Sequence, residues 1–420
     1  MTGGTPMGLP ETMKLTPRER AEAIEVQKYL HAHPELSTQE QKTSAYLLGH
    51  LEAIELPAGV TRQVSRAGRT GFGVAFRNGE GPVVAYRADM DGLPVKELTG
   101  LEFASTATQA SETGDVVPVM HACGHDSHMA AALGAARKLL ANPEQWAGTV
   151  VFIFQEAEEI GKGAETMLRD GFWNDLPRPE VLYGAHVVGR PAGQMDVYPG
   201  GVTTATDGFK ITIRGVSGHG SAPQTAIDPI VIGAAIVMRL QTIAARETDP
   251  DKTAVVTVGS FRSGSRWNII PETAELLLTT RSRDEHTRGV IRNALVRIVN
   301  AEAAAAGAPE PIIEQIVSVP ATENDPAETS RITEIFTEVF GADHMVPEPF
   351  TFSEDVSEFA RELDIPYVFW LYGGFSEAQM NREGGPVTNH SPYFYADPEL
   401  SLEPAVHAAL AAILSRVGKA

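Results

Sequence analysis

"HMAAALGAARKLLANPEQWAGTVVFIFQEAEE" (128–159) reads as one helix followed by one strand, and its end carries three carboxylates. The first part is rich in Ala and Leu with helical apolar spacing. The second, "GTVVFIFQE", is a continuous apolar run of strand length. Upstream, "GFGVAFRN" and "GPVVAYRAD" have the same strand character. Strands alternating with helices predict an α/β layer with a mixed, largely parallel sheet. In such sheets, chemistry sits in the loops beyond the carboxyl ends of the strands. "RADMDGLP" follows one strand and "QEAEE" another, so both loops become candidates.

Working outward, residues 17–54 are helical in pattern, with a break at "HAHPELS". A different rhythm begins near Thr206. "FKITIRGV", "TAVVTVGSF", "AELLLTTRS" and "PIIEQIVSV" read as strands. "DPIVIGAAIVMRLQTIAA" and "DEHTRGVIRNALVRIVNAEAAAAG" read as helices. Pro229 falls in a first helical turn, where its missing N–H costs little. The resulting β-α-β-β-α-β order is the ferredoxin-like split pattern. The expected organisation is a discontinuous catalytic domain, 1–204 plus 322–420, with a compact α+β domain at 205–321 inserted.

Bulk properties exclude several classes. The net charge of −20 and the lack of a basic run argue against nucleic acid and anionic membrane surfaces as partners. One cysteine cannot build an internal disulfide framework, which suits a reducing cytoplasm. No signal peptide is visible at the start, and the first dozen or so residues read as a flexible leader. The longest apolar run, near "PIVIGAAIVM", falls short of the ~20 residues of a membrane helix.

The sole thiol, Cys123, lies in "VMHACGHDSHMAA" (119–131), two residues before His125. A buried filler, a redox thiol, a nucleophile and a metal ligand are its candidate roles. Glu158 and Glu159 follow a strand, His186 follows "VLYGA", and His390 lies in "TNHSPYF". Thiolate, imidazole and carboxylate together form a zinc-type donor set. Cys123, His125, Glu159, His186 and His390 supply five ligands, enough for two metals sharing them. Bound metal lowers the pKa of a bridging water, and the remaining carboxylate, Glu158, can take its proton and pass it to a leaving amine. His128 reads as a capping group or a support for a ligand. Asp91 reads as an orienter of a ligand. Glu354 and Asp355 read as helix caps.

These segments give the chain a resemblance to the M20 metallopeptidase family, in its amidohydrolase branch of aminoacylases, hippurate hydrolases and auxin-conjugate hydrolases. The matching stretches are "HAHPELSTQE" (31–40), "RADMDGLPV" (87–95), "MHACGHDSHMA" (120–130), "FQEAEE" (154–159), "GAHVVG" (184–189), "SGHGSAPQTAIDPI" (217–230), "NIIPE" (268–272), "FSEDVSEF" (352–359) and "NHSPYF" (389–394). They follow the family's order and span nearly the whole chain. The resemblance implies a zinc-exopeptidase-like catalytic domain with an inserted ferredoxin-like lid and dimerisation domain. It implies two divalent metals, zinc by default with Mn, Co or Ni also suited, held by Cys123, His125, Glu159, His186 and His390. It makes Glu158 the general base and His219 a lid histidine that reaches a neighbouring subunit's active site and steadies the oxyanion. Asn268 and Arg281 match lid positions that hold the substrate's carbonyl or carboxylate.

Three positions depart from the family pattern: Glu156 where Pro is common, Gln224 where a second His is common, and Gly92 where Ala is frequent. The resulting expectation is a cytoplasmic, homodimeric hydrolase of N-acyl amino acids. A carboxypeptidase or dipeptidase of the same fold, a cysteine hydrolase and a non-catalytic metal- or ligand-binding protein are the competing readings.

Overall fold

Continuous apolar runs stay in a sheet only when both faces are covered, and the strands that carry them here are buried almost throughout. The structure is a computed structural model that describes residues 8–111, 113–350 and 352–419. The chain divides into two units. The first comprises Met1–Gly200, Asn324–Glu348 and Asp355–Ala420; the second comprises Gly201–Glu323 and Pro349–Glu354.

In chain order, the first unit begins with α1 (Pro17–Ala32), α2 (Gln41–Glu52), β1 (Val60–Arg66), β2 (Phe72–Asn78), β3 (Val83–Asp89), α3 (His125–Ala141), β4 (Gly148–Gln155), β5 (Val181–Pro191) and β6 (Met195–Asp196). The second unit contributes β7 (Ala205–Arg214), α4 (Pro229–Arg246), β8 (Ala254–Ser263), β9 (Thr273–Ser282), α5 (Glu285–Ala305) and β10 (Ile312–Val319). The chain then returns to the first unit with α6 (Pro326–Phe340), β11 (Tyr367–Phe375) and α7 (Pro398–Val417).

The sheet of the first unit runs β1-β2-β4-β3-β5-β11-β6. Its inner strands β4, β3, β5 and β11 are parallel, while β1, β2 and β6 join antiparallel. This is the mixed, largely parallel sheet expected from the sequence. Every residue of β4 and β11 is buried, whereas β1 alternates, as an edge strand does. Helix α3 is Ala-rich for a packing reason. It is buried on nearly every side and lies against α1 and α7. Gly134 permits that approach, since a Cβ there would stand 3.0 Å from Val406 Cγ2. The N-terminal leader is not wholly free: Leu9 and Met13 are buried in the same core, and residues 1–7 lie outside the described residues.

A buried charge cluster pins α1 to the start of α3. His31, at the end of α1, places Nδ1 3.2 Å from Asp126 Oδ2 and Nε2 3.1 Å from Glu97 Oε1. With a carboxylate at each ring nitrogen, both nitrogens must donate, so the ring is an imidazolium. Burial alone would lower its pKa, but Asp126 and then Glu97 outweigh that and raise it to about 10. Gln27, one turn earlier, donates from Nε2 to the same Asp126 oxygen and to the Ala396 carbonyl.

The second unit has a four-stranded antiparallel sheet in the order β8-β9-β7-β10, with α4 and α5 packed against it. Its core gathers Phe209, Ile211 and Ile213 with Ile236, Leu240, Leu295 and Ile298. Residues 349–354 cluster with this unit because Phe350 N–H donates to Val202 O and Phe352 O accepts from Thr204 N–H. Among the described residues, α4 and α7 are long and apolar enough to cross a membrane by length and composition. Helix α7 is largely enclosed in the core of the first unit, while α4 buries one stripe and leaves Val231 and Met238 exposed.

The imidazolium cluster predicts a pH signature. A folded-state pKa raised above the ordinary histidine value stabilises the fold fully below ~6.5 and ceases to do so as pH rises through about 10. H31Q should therefore cost about 3 kcal/mol at and below ~6.5. The gap in melting temperature between wild type and variant should shrink steadily toward pH 10. Equal gaps at both ends of that range would contradict the assignment.

Candidate metal centre

Two strand ends, the interior of a third strand, one helix start and one loop deliver polar side chains to one place in the first unit. Strand β3 ends at Asp89, and Asp91 follows two residues later. Strand β4 ends at Gln155 and leads into Glu156, Ala157, Glu158 and Glu159. His186 lies within β5, opposite Leu371 of β11. Cys123 precedes α3, whose first residue is His125. Between them Gly124 has φ +82°, and a Cβ there would lie 2.3 Å from Val187 Cγ1, so only glycine fits. His390 has φ +70° and is tied down by its N–H to the Ala122 carbonyl at 2.8 Å.

The donor atoms converge. Those of Cys123, His125 and Glu159 lie within 4.8 Å of one another, and so do those of Asp89, His125, His128 and His186. His125 belongs to both groups. Cys123 Sγ is 3.4 Å from His186 Nε2, and His390 Nε2 is 3.3 Å from Glu159 Oε2. His186 donates from Nδ1 to the Val187 carbonyl at 2.8 Å, which makes Nε2 its lone-pair nitrogen. His128 differs. Its Nδ1 donates to Asp89 Oδ1 at 2.6 Å, and its Nε2 accepts the Val187 N–H at 2.8 Å. Both nitrogens are therefore engaged by the protein, and His128 braces the centre rather than adding a donor.

Negative charge is concentrated here. His125 Nε2 faces Asp89 Oδ2 at 3.6 Å, Glu158 Oε2 at 3.8 Å and Glu159 Oε1 at 3.8 Å, while Nδ1 faces Asp91 Oδ1 at 3.4 Å. Neither ring nitrogen makes a well-formed hydrogen bond among the described residues, and Glu159 Oε1 is also buried without one. Burial pulls the imidazole down, but Asp89 and Asp91 override it and push it up to about 10. Burial, then Glu159 and Glu158, pushes the Cys123 thiol well up. A proton on His125 is one way to balance these carboxylates; a divalent cation is the other, and it would also draw the thiol into its thiolate form. The soft and borderline donors, with orphaned nitrogen and oxygen atoms among them, fit such an ion.

The comparisons agree with this chemistry. The model of peptidase family M20/M25/M40 matches residues 85–415. The chain belongs to that family. It is 34% identical over 413 residues to thermostable carboxypeptidase 1 of Saccharolobus solfataricus, covering 96% of this chain and 98% of that one. It is 34% identical over 304 residues to an N-acetylcysteine deacetylase of Bacillus subtilis, covering 72% and 76%. A crystal structure described as a dinuclear metal-binding peptidase of family M20, also from Bacillus subtilis, superposes with a TM-score of 0.74 at 29% identity, covering 95% of this chain and 99% of that one. As a member of the family the protein is a metal-dependent hydrolase.

The family chain thus brings Cys123, His125, Glu158, Glu159, His186 and His390 together in its first unit. Asp91 accepts the N–H of Glu158 at 3.2 Å and of Glu159 at 3.0 Å, and takes the Ser37 hydroxyl at 2.6 Å. It therefore holds the backbone of the carboxylate pair as well as facing His125. His219, Asn268 and Arg281 lie in the second unit. His219 pairs with Ile269 in a short ribbon, next to Asn268, and its Nδ1 accepts the Ser221 N–H, which leaves the proton on Nε2. Arg281, on β9, donates to Ser353 Oγ at 2.7 Å.

Sequence reasoning missed Asn389, whose Nδ2 donates to the carbonyls of Val187 and Cys123. It also missed the Asp89–His128 pair and the buried Arg87 that donates to Asp89 Oδ2 at 2.7 Å. Alternation along "VVAYRAD" could have found Arg87 and Asp89, which share one face of β3.

Replacing the thiol tests the centre. C123S should lower the metal bound per chain, read by elemental analysis after dialysis, and H128Q should mainly lower the melting temperature. Unchanged metal content in C123S would remove sulfur from the ligand set.

Proposed function

We propose that the protein hydrolyses the amide bond of N-acyl amino acids, releasing an amino acid and a carboxylic acid. The observation that carries this reading is the adjacent pair Glu158 and Glu159, both held by Asp91 through their backbone N–H groups beside the thiol and imidazoles of the centre. Two neighbouring carboxylates so placed divide the work: Glu159 as ligand, Glu158 as base. Similarity to a protein named N-acetylcysteine deacetylase supports the acyl amino acid as substrate class.

In this reading Cys123, His125, Glu159, His186 and His390 hold two divalent metals, zinc by preference. When bound, the metals polarise the scissile carbonyl and acidify water. Glu158 takes a proton from the attacking water as its oxygen bonds to the carbonyl carbon. The same proton passes from Glu158 to the amide nitrogen as the C–N bond breaks. His219, with its proton on Nε2, donates to the oxyanion, and Asn268 and Arg281 bind the substrate's carbonyl or carboxylate. We place His219 in the site of a second copy of the chain, which makes the working unit at least a homodimer. The exposed Trp267, Met238 and Val231 of the second unit (96%, 73% and 64% accessible) support association through that unit. The reducing environment suited to a lone cysteine ligand supports a cytoplasmic setting.

A second reading, peptide-bond cleavage as a carboxypeptidase, is favoured by the similarity to thermostable carboxypeptidase 1. Metal-loaded protein assayed on N-acetyl, benzoyl and long-chain acyl amino acids beside dipeptides and blocked peptides separates the two. Faster turnover of the acyl amino acids is expected, and a clear preference for free-amine dipeptides overturns that order. E158Q should keep its metal while turnover falls about 10²- to 10⁴-fold. Near-normal turnover in E158Q removes Glu158 as the base.

A further inference from the structure

Glu40 is fully buried at the start of α2, and the proposed chemistry gives it no part. Its Oε1 accepts two backbone donors, the N–H of Ala157 at 2.8 Å and of Thr38 at 3.0 Å. Its Oε2 lies 2.7 Å from Thr70 Oγ1. That hydroxyl is also 2.8 Å from Glu156 Oε2. One hydroxyl has one proton, so it can donate to only one of the two carboxyl groups. The other must itself carry a proton and donate to the hydroxyl oxygen. Glu156 faces donors on all sides: its oxygens take the N–H groups of Arg69, Thr70 and Gly71 as well as the hydroxyl. The extra proton therefore belongs on Glu40 Oε2. Burial, then the Asp91 charge, raises the Glu40 pKa to about 8, which agrees with the count. The charged groups it faces are Asp91, from the loop after β3, and Glu156, from the turn after β4.

The residue it grips is a strained one. Ala157 is buried with φ +52° and ψ +39°, the left-handed region that a non-glycine residue rarely adopts. This residue turns the chain from β4 into Glu158 and Glu159. We propose that Glu40 is a positioning residue for the base: as a neutral carboxylic acid it holds the Ala157 N–H through one oxygen and, through Thr70, the Glu156 carboxylate through the other. The carboxyl thereby fixes where Glu158 points. Glutamine is the isostere of that protonated form, with Oε1 to accept from Ala157 and Nε2 to donate to Thr70 Oγ1. The inference rests on the proposed role of Glu158.

The test uses metal-loaded protein. E40Q should keep kcat within about 3-fold of wild type, whereas E40A should lower kcat about 10- to 100-fold with little change in KM or metal content. Amide exchange at Ala157 should quicken in E40A and not in E40Q. The infrared carbonyl stretch of protonated carboxyls should be present at neutral pH in wild type and lose intensity in E40Q. In an E158Q background, E40A should add no further loss. If E40A does not fold, T70V breaks the relay alone and T70S restores it, with the same effect on kcat expected. E40Q as damaging as E40A, T70V with normal kcat, or a protonated-carboxyl band unchanged by E40Q overturns the proposal. An active E158Q overturns the base assignment instead, while the exchange and infrared results still decide the state of Glu40.

Discussion

Buried negative charge around His125 governs the design of the first unit. Asp89, Asp91, Glu158 and Glu159 all present oxygens within 3.4–3.8 Å of its two nitrogens. Carboxylates crowded out of water repel one another and hold together only around positive charge. Arg87 supplies some of it from beneath, donating to Asp89 and Gln155. The rest falls to His125 or to metal. This accounts for a thiol placed among carboxylates, which would otherwise keep it protonated, and for the two His125 nitrogens that make no well-formed hydrogen bond among the described residues.

The fold serves this centre by spending conformational strain where it turns. Among the described residues, the non-glycine positions with left-handed backbone include Thr38, Ala157 and His390. Each lies at the centre or in the network behind it. His390 is secured by the Ala122 carbonyl, and Thr38 and Ala157 both donate to one buried carboxyl. Gly124 completes the set, because no side chain fits against Val187 at the bend between Cys123 and His125. Parallel strands explain the placement: their carboxyl ends face one way, so the loops after β3 and β4 meet, and the helix that follows Cys123 packs beside them.

Much of this was legible in the sequence. The apolar runs of β3, β4 and β11 are continuous because both faces are covered, and that pattern reads directly as a buried, largely parallel sheet. Cys123 and His125 stood out by their two-residue spacing, and the Glu158–Glu159 pair as carboxylates just past a strand end. What stayed hidden depends on contacts between residues far apart in the chain. Nothing local marks Asp89 as the partner of His128, or Asn389 as the residue that reaches the carbonyls of Cys123 and Val187. Residues 349–354 look like any loop, yet two backbone hydrogen bonds to residues near 203 assign them to the second unit. Glu97 looks like a solvated acid until it is seen to share the His31 ring with Asp126.

The three carboxylates at 156, 158 and 159 show why residue type alone cannot assign a role. They are chemically equivalent and nearly adjacent, and their surroundings separate them. Glu156 is wrapped by backbone N–H groups of the turn between β1 and β2, which satisfy its oxygens and remove it from reaction. A side chain at Gly68 would strike it, a Cβ there lying 2.1 Å from Glu156 Oε1, so the wrapping turn is cut to fit this residue. Glu159 meets the imidazoles of His390 and His125. Glu158 has its backbone held by Asp91 and faces the same imidazole. Glu156 thus belongs to the scaffold behind the centre. A proline at that position would bring no carboxylate for the turn at 68–71 to close on, so the turn and Glu156 have to be understood as one structural unit.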